Sequence, residues 1–126
     1  MSGRWDDYVA TWRRRLAAER ASRRQDLDRA KRDARKMARI LAREFGARRV
    51  WLFGSVATGD VFHTQSDIDL AVEGVDDDRW TEVERRLEEV SRFAFDLVAI
   101  EQASPTLRER VFREGVILHD GSPRTL

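Results

Sequence analysis

The sequence predicts an α/β chain with the order helix, strand, strand, helix, strand, helix, strand. Three observations carry this. From Trp5 to Phe45 there is no proline or glycine, and alanine, arginine and glutamate fill the stretch, all strong helix formers. Three short apolar runs, in VWLF, IDLAV and FDLVAI, are rich in strand-forming side chains and bounded by glycine or polar residues. Two later segments, DDDRWTEVERRLEEVSRF and SPTLRERVFREG, space their apolar residues as helix faces do.

Taken in order, Leu27, Ala30, Ala34, Met37 and Leu41 recur at alternating steps of three and four and form one helix face. Tyr8 or Val9, Trp12 and Leu16 form a similar stripe upstream, while ERASRRQD between them offers nothing apolar larger than alanine. The stretch is therefore two helices, or one of about 40 residues and about 60 Å that must project or fold back. Gly46 closes it as a C′ glycine. Val50 to Phe53 is a continuous apolar run suited to a buried strand, and IDLAVEG is a second strand that stops at Gly74. The next helix has an acidic first turn, favoured by the helix dipole, and apolar positions Trp80, Val83, Leu87 and Val90. AFDLVAI is the third strand. Ser104 is the N-cap and Pro105 the first residue of a helix that ends at Gly115, and VILHD is a last short strand. Residues 1–34 form an arginine-rich helical extension and 35–126 the domain.

At 126 residues the chain is one domain long. It has no cysteine, so neither disulfides nor thiolate metal sites are available. It has no apolar run long enough to cross a bilayer, and MSGRWDDY contains no secretory segment, so a cytoplasmic protein without membrane association is expected. The net charge of +1 hides an asymmetry: residues 1–49 hold 16 Lys+Arg against 7 Asp+Glu, and residues 50–126 hold 8 against 16. The basic half meets a phosphate-rich or acidic partner, or is a solvated helix lying partly against its own acidic domain.

The chemistry concentrates in GSVATGDVFHTQSDIDL, residues 54–70. A Gly-Ser after a buried strand gives a tight turn with exposed N–H groups and a hydroxyl, and a helical turn at Val56 to Gly59 would face phosphate oxygens. Asp67 and Asp69 lie two apart on an extended segment, so both carboxylates share a face while Ile68 enters the core. Such a pair suits a hard cation, and Mg²⁺ prefers oxygen ligands plus waters and substrate phosphates. Asp96 interrupts the apolar third strand, where a buried charge needs a partner or a metal; beside the second strand it makes a third carboxylate. Each feature alone has a structural explanation, as turn chemistry or an edge residue. Together they fit nucleotidyl transfer, with two metals on Asp67, Asp69 and Asp96, and with Asp96 helping to deprotonate an acceptor hydroxyl.

LFGSVATGD…SDIDLAVEG, followed by FDLVAI and LRERVFREGVILHD, resembles a minimal nucleotidyltransferase of the DNA polymerase β-like superfamily over about residues 35 to 120. The resemblance implies a small mixed sheet backed by helices, Mg²⁺ and a nucleoside triphosphate such as ATP. It assigns phosphate binding to Gly54 and Ser55, and metal binding to Asp67, Asp69 and Asp96. Thr58, Asp60 and Ser66 complete the nucleotide-binding set. It also implies a partner: stand-alone members are often encoded beside a HEPN-type RNase toxin, act as its antitoxin, and in some cases transfer AMP to a toxin tyrosine. Two departures stand out. Thr58 occupies a position where many members carry Arg, and eleven residues rather than ten separate Ser55 from Asp67, so the loop containing His63 bulges.

Two functions follow. One is an enzyme moving AMP from ATP to a protein hydroxyl, since so small a domain cannot itself grip a small acceptor. The other is an antitoxin that neutralises by contact, through the aromatic stripe Trp5, Tyr8, Trp12 and Leu16, which could equally fold back on the sheet or join two copies of the chain. Nucleic-acid binding by the arginine-rich helix ranks last, because its aromatics are not interleaved with the basic residues.

Overall fold

The computed structural model describes residues 3–58 and 68–121. The N-terminal stretch is one helix, α1 (Gly3–Phe45), 43 residues and about 65 Å long. Its polar middle does not break it, because nothing there disfavours helix and ion pairs such as Arg23–Glu19 (3.7 Å) and Arg29–Asp26 (3.9 Å) bridge successive turns. Leu27 packs partly against the core, and full burial begins at Ala30 and continues through Ala34, Met37, Ala38, Ile40, Leu41 and Phe45. Gly46, at φ 70°, then turns the chain so that the Ala47 N–H reaches back to the Leu41 carbonyl (3.0 Å).

The elements that follow are β1 (Arg49–Phe53), α2 (Ser55–Thr58), β2 (Ile68–Glu73), a 3₁₀ turn (Asp77–Arg79) running into α3 (Trp80–Glu88), β3 (Phe95–Ala99), a second 3₁₀ turn (Ile100–Gln102), α4 (Pro105–Glu114) and β4 (Val116–Asp120). The strands form one mixed sheet in the order β3-β2-β1-β4. β1 runs antiparallel to β2 and to β4. β2 and β3 are parallel, which requires a crossover, and α3 supplies it. The acidic run expected to open the third helix is instead the 3₁₀ turn, held to the segment after β3 by Gln102 Nε2 donating to Asp77 Oδ1 (2.7 Å). At α4 the Ser104 hydroxyl accepts from the Leu107 N–H (3.2 Å) with Pro105 in the first turn, as the sequence predicts.

Side-chain alternation gives the sheet two apolar faces. Val50, Leu52, Ile68, Leu70 and Val72 pack with Met37 and Leu41 of α1 and with Val83 and Leu87 of α3. Trp51, Phe53 and Ala71 pack on the other side with Ile100 and with Val111 of α4. The end of α1 is fastened to α3 by a bidentate pair, Arg86 Nε and Nη2 to Glu44 Oε1 and Oε2 (3.0 and 3.1 Å), and this hydrogen bonding raises the Arg86 pKa. Arg79 lies over the Phe45 ring, 4.5 Å from its centroid, and donates to the Glu44 carbonyl.

The aromatic stripe does not fold back. Trp5, Tyr8 and Trp12 are 70%, 63% and 53% exposed, and Trp5 stacks on Tyr8 (5.9 Å). Among the described residues no helix is long and apolar enough to cross a membrane. Because the first part of α1 covers no core, deleting residues 1–24 should leave the urea midpoint of the remainder unchanged. Leu41→Ala, which empties a fully buried site, should lower unfolding free energy by about 3 kcal/mol in the same measurement.

Candidate active site

β1 delivers the chain from the core to Gly54, whose φ of 77° lies in the left-handed region that side chains disfavour. Ser55 then opens α2, a single turn closed by the Thr58 N–H donating to the Gly54 carbonyl (3.2 Å). The helical turn thus starts one residue earlier than the sequence suggests. Thr58 lies at its exposed end, with its hydroxyl donating to the Ser55 carbonyl (3.4 Å).

Asp69 arrives from the neighbouring strand. The β1–β2 register sets it opposite Phe53, and its carboxylate lies against Gly54, where an added Cβ would clash with Oδ2 and stand 3.1 Å from Cγ. Gly54 is therefore required twice, for its dihedral and for this approach. Ile68 is fully buried on the opposite face, as the two-residue period demands. The β2–β3 register sets Asp96 beside Asp69 on the same face, with backbones about 4.8 Å apart.

One expectation is corrected. Asp96 is not a buried charge: β3 is the sheet's outer strand, and Asp96 is exposed while Asp69 is half-buried. Asp96 pays no burial penalty, and its place is set by register alone. Asp60, Ser66 and Asp67, with His63, lie outside the described residues. Gly54, Ser55, Asp69 and Asp96 thus meet at one end of the sheet. Among the described residues no three His, Cys, Asp or Glu side chains cluster as a metal site. The described pair nonetheless fits a hard cation in its chemistry: two carboxylates share a face on neighbouring strands, and glycine lets the chain approach one of them closely.

The sequence reading missed what lies beside Asp96. An open groove of about 450 Å³ runs from Asp96 past Phe93 and Ser91 to Glu84 and Glu88. The two glutamates are four apart on the outward side of α3, a spacing indistinguishable in sequence from an ordinary solvated face. The Gly54–Asp69 approach gives a stability prediction. Gly54→Ala should cost about 1–3 kcal/mol. Combining it with Asp69→Ala should recover at least about 0.5 kcal/mol, read as a coupling energy in a double-mutant cycle of urea unfolding.

The polymerase β nucleotidyltransferase family model matches residues 35–124. A toxin–antitoxin crystal structure with AMP-PNP is similar at 28% identity, covering 68% of this chain and 73% of that one, with a TM-score of 0.59. A mutant MntA–HpeT toxin–antitoxin structure is also 28% identical, over 68% of each chain, with a TM-score of 0.53. The complex of tri-AMPylated Shewanella oneidensis HEPN toxin with MNT antitoxin shares the fold at 24% identity over 72% of each chain, with a TM-score of 0.56. No curated protein matches the chain in sequence. The family match runs from the buried half of α1 through β4 and takes in the Gly54 turn and the Asp69–Asp96 pair, so the chain belongs to the polymerase β nucleotidyltransferase family.

Proposed function

We propose that this nucleotidyltransferase moves AMP from ATP to a hydroxyl of a partner protein, as the antitoxin of a HEPN-type toxin. The observation that carries the reading is the Asp69 carboxylate held against Gly54 with Asp96 beside it in register. The 28%-identical toxin–antitoxin with AMP-PNP supports both the nucleotide and the kind of partner. Residues 35–126 carry the transferase and residues 1–34 the extension.

In this reading the Gly54 and Ser55 N–H groups and the Ser55 hydroxyl hold the triphosphate, with Thr58, Asp60 and Ser66 as further nucleotide contacts. Asp67, Asp69 and Asp96 would hold Mg²⁺, which when bound offsets the charge of the phosphates and of the departing pyrophosphate. The acceptor oxygen forms a bond to the α-phosphorus as the bond from the α-phosphorus to the pyrophosphate oxygen breaks. Asp96, at the solvent edge, takes the hydroxyl proton and passes it to water. The groove beside Asp96 gives an acceptor segment a way in.

A second reading has its own observation. Trp5, Tyr8 and Trp12, exposed on a part of α1 that touches none of the core, suit an antitoxin that works by contact, or a contact between two copies of the chain. Labelled ATP and Mg²⁺, incubated with the protein and the product of the neighbouring gene, separate the two. Transfer predicts label on the partner, reduced about 100-fold or more by Asp69→Asn or Asp96→Asn. A stable complex that never takes up label means the protein acts by binding alone.

A further inference from the structure

We infer that the outward arc of α1 is a binding site for the phosphodiester backbone of a nucleic-acid duplex, separate from the nucleotide site and beyond the transfer reaction. Arg29, Arg32, Lys36 and Arg39 recur at steps of three and four, so they fall on one arc of the helix. That arc is turned away from the sheet, which Ala30, Ala34, Met37 and Leu41 face. With Arg35 and Arg92 they line an open groove of about 350 Å³. The row from Arg29 to Arg39 is straight and about 15 Å long, with neighbouring cations on the scale of successive phosphates along a strand.

Apart from Arg29, which pairs with Asp26 on its own helix (3.9 Å), these charges are not spent within the chain. Among the described residues, Arg32, Arg35, Lys36, Arg39 and Arg92 form no ion pair. Several arginines of the later helices pair with their own carboxylates, as Arg79 does with Glu82, Arg110 with Glu114 and Arg113 with Glu109. Asp33, the one acid in the groove, accepts from the backbone N–H of Arg92 (3.0 Å), which seats the α3–β3 loop and brings that arginine's cation to the row.

The lining favours nucleic acid over an acidic protein. It holds no apolar side chain, whereas protein interfaces bury an apolar or aromatic centre. Phosphate contacts need only charge and donors, which arginine supplies as a planar fork. A single strand would want stacking aromatics among the cations. A duplex, whose bases are already stacked, does not.

Fluorescein-labelled 20-base-pair RNA and DNA duplexes of arbitrary sequence, titrated with the full chain at a series of salt concentrations, test this. Both should bind independently of sequence, with a log–log salt slope of about −4, and the ratio of the two affinities identifies the natural backbone. The variant R32Q/K36Q/R39Q should bind at least about 10-fold more weakly with a slope smaller by about three. R13Q/R14Q/R15Q, which removes equal charge outside the groove, should bind within about 2-fold of the unmodified chain. A lysine version, R32K/R39K, should retain binding. All substituted positions are exposed, so thermal unfolding should not move. Equal losses in the two triple variants, no binding at physiological salt, or polyglutamate displacing the duplex as well as unlabelled duplex does would each overturn the assignment.

Discussion

A slip of one residue between β1 and β2 would turn the Asp69 carboxylate into the core beside Met37 and Leu41 and push Ile68 out to water. Burying an unpaired carboxylate costs several kcal/mol, and exposing a full isoleucine side chain adds about 2 more. The register that sets Phe53 opposite Asp69 is therefore fixed by burial over the whole strand pair, with Leu52 against Leu70 and Val50 against Val72. The site inherits its geometry from that constraint. Once Asp69 is placed, the parallel register places Asp96, and the close approach to Gly54 follows from the turn at the end of β1.

The same division between what is buried and what is free runs through α1. From Ala30 onward it is a structural member, packed on the sheet and fastened by Arg86 to Glu44 and by Arg79 over Phe45. Before that, among the described residues, Leu27 alone of the apolar side chains packs partly against the core, and the rest of the helix rests on its own turns. Helix propensity and a few surface ion pairs are enough to continue a helix that the domain has already nucleated, since extension needs no new nucleus. This is why a stretch such as ERASRRQD, with no apolar face, stays helical between two stripes.

Much of this was legible in sequence because it rests on local rules. Glycine at positive φ marked the end of α1, Ser104-Pro105 marked the start of α4, and the apolar runs marked the strands. The alternation of Ile68 and Asp69 marked the two faces of β2. What was not legible depends on which strand neighbours which. Asp96 in an apolar run looks buried when read alone, yet β3 is an outer strand and leaves its side chain in water. The groove along Glu84, Glu88 and Phe93 belongs to two elements brought together only by the fold. Whether the aromatic stripe folded back could not be read from its spacing either, because helical spacing is the same whether a face is covered or bare.

The unbroken course of α1 has a mechanical meaning. From Trp5 to Ala30 the helix spans about 37 Å, with no glycine, proline or bend-forming insertion along that span. Such a rod behaves as a ruler. A body gripped at its aromatic tip is kept at a set distance and bearing from the carboxylates at the end of the sheet. Under the proposed transfer, a partner that holds the tip must itself be tens of ångströms across to present a reactive group at Asp96, which makes size and shape of the partner, as well as its chemistry, a condition for being served.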